Sequence, residues 1–152
     1  VEAKLTSGAL SREGRSSSEA GKPQFSPQDL FDFLEEGALG LQSVGADGVV
    51  LWANAAMYET LGYRAEEYIG QPIARFHVDT DIHQELRRRL REGETLRNHA
   101  VRMRHKDGSI RHVRVTTSAA FDAQGRYLHT RCFVRDVSEQ VIAESHLRRA
   151  LE

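Results

Sequence analysis

Apolar residues are spaced in two ways along this chain, and the change of spacing divides it. Before Gly93 they come in short bursts closed by glycine or proline. From Thr95 to Arg135 they alternate with polar residues at a period of two. Ser26-Pro27-Gln28-Asp29 reads as a helix start: Ser26 caps, Pro27 suits the first helical position and Asp29 reaches back to the cap. Leu30, Phe31, Phe33 and Leu34 then follow at helical spacing, with Gly37 as the stop. Ala38–Val44 and Val49–Trp52 predict two strands joined by the tight turn Ala46-Asp47-Gly48. Asn54 is a good cap for a short helix over Ala55–Leu61 that ends at Gly62, and Arg64–Tyr68 predicts another short helix before Gly70 and Pro72.

The longest helical pattern of this half is Asp79–Arg91, capped by Asp79 or Thr80. Its apolar stripe is Ile82, Leu86 and Leu90. The alternating half predicts three strands, Thr95–Lys106, Ile110–Phe121 and Tyr127–Arg135, separated by Lys106-Asp107-Gly108-Ser109 and by a loop at Asp122–Gly125. After Asp136 the pattern returns to helical, with Ser138 as cap and a weak seam of Ala143, Leu147 and Ala150. The expected fold is α+β: a five-stranded antiparallel sheet, short helices on one face, and flanking helices at both ends.

Residues 1–25 hold Gly8, Gly14, Gly21 and Ser16-Ser17-Ser18 and no apolar period, so a flexible tail or linker is expected there. The organisation that follows is a domain over 26–137 and an outgoing helix over 138–152. A start at Val1 reads as an internal fragment. Of 152 residues, 39% are hydrophobic and 28% charged, which is the balance of a globular domain rather than a disordered chain. The formal net charge of −1 supplies no field for nucleic acid or an anionic membrane. No apolar run nears the ~20 residues of a membrane span. The one cysteine, Cys132, excludes an intramolecular disulfide and suits a reducing, cytoplasmic setting.

Catalytic patterns are missing. There is no Gly-x-Ser-x-Gly elbow, no phosphate loop and no Gly-x-Gly-x-x-Gly. The seven histidines lack metal-site spacing. His77 and His83 face different directions if both are helical, His99 and His105 share a strand face, and His112 and His129 are candidate cross-strand neighbours. The run Arg87-Arg88-Arg89 with Arg91 reads as a solvated helix face. No catalytic residue and no metal ligand set is assigned.

Four stretches together resemble the PAS family, in its form with a PAC C-terminal half. They are Asp47-Gly48-Val49-Val50-Leu51-Trp52-Ala53-Asn54; Leu61-Gly62-Tyr63-Arg64-Ala65-Glu66-Glu67-Tyr68-Ile69-Gly70; Lys106-Asp107-Gly108-Ser109; and Arg135-Asp136-Val137-Ser138-Glu139. The resemblance covers about residues 26–140 and implies a sensory module of a bacterial-style signalling protein, without catalysis of its own. It implies a ligand pocket between the inner face of the sheet and the helices, with candidate lining residues Leu41, Leu51, Met57, Ile73, Phe76, Ile82, Leu86, Val101, Met103, Val115 and Phe133. Those positions are equally a plain hydrophobic core. It implies that Asp136, Val137 and Ser138 couple the sheet to the exit helix and so to an output domain of the same chain, most often a histidine kinase. It further implies a homodimer through the flanking helices.

The cofactor is left open. Haem-binding relatives ligate iron through a histidine of the long helix, where His83 stands, although His83 lies one step off the apolar stripe. Flavin photoreceptors of the superfamily carry a reactive cysteine in the segment that here reads Gly70-Gln71-Pro72-Ile73-Ala74-Arg75-Phe76-His77, which has none. Non-covalent flavin, and a ligand-free dimerisation scaffold, stay as alternatives.

Overall fold

The computed structural model describes residues 24–152. The tail expected over residues 1–25 therefore falls almost wholly outside the described residues. Order begins with helix α1 (Pro27–Glu36). Ser26 Oγ accepts from Asp29 N at 3.0 Å, and the Asp29 carboxylate accepts from Ser26 N at 3.2 Å, a reciprocal cap. Strands β1 (Gly40–Val44) and β2 (Val50–Ala53) form a hairpin across Gly48, whose φ of +85° the turn requires.

Three short helical segments follow: α2 (Ala55–Thr60), α3 (Ala65–Tyr68) and a 3₁₀ turn at Ile73–Phe76. Helix α4 (Thr80–Arg91) leads into the meander of β3 (Leu96–Arg104), β4 (Ile110–Phe121) and β5 (Tyr127–Asp136), and α5 (Ser138–Leu151) leaves from the end of β5. All strand pairs are antiparallel, in the order β2-β1-β5-β4-β3. The last strand thus sits at the centre, and the helical insertion between β2 and β3 covers one face. The fold is the α+β sheet with short helices that the pattern of the chain predicts.

The core lies between that face and the helices. Its largest side chains are Tyr68, Phe76 and Met57, with the Tyr68 and Phe76 rings 4.6 Å apart and Tyr63 edge-on to Phe76 at 5.1 Å. Asn54, fully buried, does more than cap α2. Its side chain also reaches β1 and the carbonyls of Leu34 and Leu39.

Three local expectations need correction. Asp79 occupies the cap position of α4, but its carboxylate is drawn away to Arg102, whose Nε and Nη2 donate to it at 2.9 and 2.6 Å. Ser138 is the first residue of α5, not its cap; its buried hydroxyl is bonded to β4 instead. The α4 stripe is also rotated. Taking Ile82 as zero, Leu86, Leu90 and His83 stand at roughly 40°, 80° and 100° around the helix. The buried face is centred near Leu90, so His83 is inside and Ile82 is half exposed.

Candidate functional site

Among the described residues, two places bring polar groups together around apolar walls: an inner cavity, and the junction where α5 leaves the sheet. The inner cavity measures about 60 Å³ and lies between α4 and the inner face. Of the expected lining residues, Ile73, Leu86, Val101, Met103 and Val115 reach it. Met57 and Phe76 are buried but belong to the packed core beside it.

Leu41, Leu51, Ile82 and Phe133 do not line it. On β5 the buried side chains are Thr130, Cys132 and Val134, and the intervening Phe133 points to the other face opposite Leu41, half exposed. Both parities of β5 carry apolar residues, so alternation alone cannot say which set faces in. On β2 the register shift opposite Ser43 and Val44 turns Val50 inward and leaves Leu51 outside. Ile82 is outside for the helical reason already given.

The polar lining was not legible in the sequence. Gln42 takes the inward position on β1, where its Oε1 accepts from the buried Tyr68 hydroxyl. The Thr117 hydroxyl donates to Cys132 Sγ at 2.9 Å. Burial pushes the Cys132 thiol up to about 11, which keeps it protonated and unreactive. His77 and His83 stack with ring centroids 4.0 Å apart and planes at 25°. They meet because His77 precedes α4 on an extended segment beside the edge of β3, so the two are not on one helix. Burial depresses both imidazoles. His77 falls to about 3, helped by its neighbour His83 and opposed by Asp79, and His83 falls to about 4, helped by the Arg87 guanidinium.

Haem does not fit this arrangement. A cavity of about 60 Å³ is well below the several hundred a cofactor-sized ligand occupies, and the His83 ring is already stacked on His77. The same volume leaves no space for a flavin ring system. Among the described residues no group of three or more His, Cys, Asp or Glu side chains could hold a metal ion.

The remaining histidines do not pair as expected. His112 stands opposite Arg102, and His129 opposite Ala120. In the arginine run, Arg88 is bound by Glu85 and Glu92, and Arg89 by Glu94. Arg87 is the exception; it crosses to Ala46 O at 3.1 Å and lies over Gly48, where an added Cβ would stand 2.3 Å from it.

At the junction, the three residues expected to couple are bound to one strand. Val137 N donates to His112 O at 2.8 Å, His112 N donates to Ser138 Oγ at 2.9 Å, and Ser138 N donates to Asp136 Oδ1 at 2.9 Å. Asp136 also faces Arg111, with Nη1 and Oδ2 3.6 Å apart. The first turn of α5 is therefore fastened to the start of β4.

Charge is unevenly distributed over the fold. The five strands carry seven arginines (Arg97, Arg102, Arg104, Arg111, Arg114, Arg131 and Arg135) and one acid, Asp136. Helix α1 carries Asp29, Asp32, Glu35 and Glu36 and no base, and has no buried residue.

The family model described as PAS domain matches residues 39–139. No curated protein matches the chain. Among solved structures, a PAS domain of a protein from Colwellia psychrerythraea is 22% identical, with a TM-score of 0.65 over 74% of this chain and 97% of its own. A sensory box histidine kinase/response regulator from Burkholderia thailandensis E264 is 18% identical, with a TM-score of 0.61 over 80% of this chain and 93% of its own. An RNA-binding light-oxygen-voltage receptor is 19% identical, with a TM-score of 0.70 over 86% of this chain and 41% of its own. At these identities the likeness is one of fold. Among the described residues no helix is long and apolar enough to cross a membrane.

Proposed function

The chain belongs to the PAS domain family, and from that premise we propose that it is a non-catalytic regulatory module that passes a signal through α5 to an output domain of the same polypeptide. The observation that carries this reading is the fastening of Val137 and Ser138 to His112, with Asp136 between them and Arg111. A shift in the sheet must move the first turn of α5 or break those bonds. Kinase PAS domains among the structural neighbours favour a histidine kinase as the output. The signal is a ligand of few atoms in the inner cavity, or a change in the dimer.

Hydrogen exchange on the chain tests the relay. Asp136→Ala with Ser138→Ala is expected to speed amide exchange over Val137–Val141 by about tenfold, for the loss of some 1–2 kcal/mol of local hydrogen bonding, while β1 amides stay unchanged. Unaltered exchange in α5 would remove the junction as the coupling element.

The dimer uses the flanking helices, α1 of each copy lying on the outer sheet face of the other. Leu30, Phe31 and Phe33 are about half exposed or more, as is Phe133 on that face. The four acids of α1 complement Arg131 and Arg135, neither of which is ion-paired among the described residues. Reversing charge on the sheet (Arg131→Glu with Arg135→Glu) or on α1 (Asp32→Lys with Glu36→Lys) should each give monomers by sedimentation, and an equimolar mixture of the two variants should dimerise again. Dimers that survive both reversals, or a wild-type chain that stays monomeric at high concentration, would rule out this interface.

A further inference from the structure

A second opening lies against the outer face of β3 and β4, at the foot of α5. It is larger than the inner cavity, about 270 Å³, and its walls join α4, β3, β4 and α5. One side is apolar. Ile82 is half exposed on α4 and turns toward this groove rather than the core, and Val137 and Val141 of α5 close it from the other end. Ile82 is half exposed, and Val137 and Val141 are only partly buried.

The other side is basic. Asp79 is the only acid in the wall, and both of its oxygens are occupied by Arg102. Arg114 has no carboxylate partner among the described residues; its Nη1 donates to Asn98 O at 3.0 Å. That leaves most of the five guanidinium N–H donors of Arg114 available. Arg135 stands directly opposite Arg114 on β5, and like charges so placed repel unless an anion comes between or beside them. The ring of His112, also in the wall, makes no hydrogen bond among the described residues.

An apolar pocket with one unpaired guanidinium and a free imidazole matches a small organic anion: a carboxylate to take the fork of Arg114, and an apolar body to cover Ile82, Val137 and Val141. At about 270 Å³ it is just under the usual range for small-molecule pockets, which sets an aryl or short acyl carboxylate as the size class. We propose that this groove is a binding site for a small apolar carboxylate, seated between the sheet and the first turn of α5. Binding there does not depend on the inner cavity. An effect on the output does rest on the relay through α5, because the ligand would touch both the sheet and the helix that leaves it.

Phenylacetate is the probe, and 2-phenylethanol is its uncharged counterpart. In ¹H–¹⁵N spectra of the chain, phenylacetate should give saturable shifts at Arg102, at His112–Arg114 and at Val137–Val141. Arg114→Met keeps the apolar stem of an exposed side chain and should weaken binding about tenfold or more, the usual scale for one charged fork. Thr117→Val, at a wall of the inner cavity that the groove does not share, should leave the affinity unchanged. The proposal is overturned if no shift saturates, if 2-phenylethanol binds equally well, or if the shifts fall on Gln42 and Cys132 of the inner cavity. Intact binding with an unchanged α5 exchange rate would uphold the site and count against the relay alone.

Discussion

Replacing Asn54 by alanine should cost the domain about 3–5 kcal/mol, out of the ~5–15 that a domain of this size has in total. The side chain is fully buried and all of its hydrogen-bonding capacity is used. Oδ1 accepts from Leu41 N at 2.9 Å and from Met57 N at 3.1 Å, and Nδ2 donates to Leu34 O at 2.8 Å and to Leu39 O at 2.9 Å. One amide therefore caps α2, holds β1 and fixes the segment that enters from α1. Truncation removes a helix cap, worth about 1 kcal/mol, and leaves further buried backbone groups without partners at about 1–3 kcal/mol each. Water can reach the Leu39 side of the site, which keeps the total below a simple sum. Asn54→Asp preserves the cap but sets a carboxylate against two carbonyl oxygens, so it should do no better than alanine. Urea unfolding of both variants measures this, and a loss under 1 kcal/mol in either would show that the anchoring is done elsewhere.

Acidification should begin to destabilise the domain well above the pH at which its carboxylates titrate. In the unfolded chain His77 and His83 take up protons near pH 6.5, whereas in the fold they resist until about 3 and about 4. Below 6.5 the unfolded state then binds more protons, so stability is flat above about pH 7 and falls steadily from 6.5 toward 4. Each ring on its own accounts for about 2 kcal/mol at pH 5. His77 is only partly buried and the two rings share one environment, so about 2–3 kcal/mol for the pair is the expected loss. His83→Phe keeps the stack and removes one titrating group. Its unfolding free energy should drop about half as much as the wild type between pH 7.5 and pH 5. An equal drop in both proteins would show that the stacked pair does not govern acid stability.

Much of this was legible beforehand. Ser26 with Pro27 and Asp29, the Asp47-Gly48 turn and the Gly62 stop act within a few residues, so their chemistry is local and the chain alone specifies it. The three meander strands followed from alternation and short turns, and β4 has the predicted bounds. Element ends were less secure: β3 begins and ends inside its predicted span and carries an irregularity at Asn98, which takes φ of +52°.

The candidate site was harder to read. Five of its expected wall residues reach the cavity and four face away. The errors share one cause. Hydrophobicity marks a residue as able to be buried, but where both parities of a strand are apolar, as at Cys132, Phe133 and Val134, or where a helix stripe is broad, as at Ile82 and His83, it does not choose the side. Polar wall residues such as Gln42 and Thr117 carry no such signal at all.

The chain by itself determined the kinds and order of elements, the turns between them and the family to which they belong, because those depend on neighbours a few residues apart. Only the tertiary structure decided that His77 stacks on His83, that Asp79 abandons its helix for Arg102, and that Ser138 is fastened to His112. Each of these pairs residues on different elements. Their contact is set by strand register and helix rotation, which no local stretch of sequence specifies.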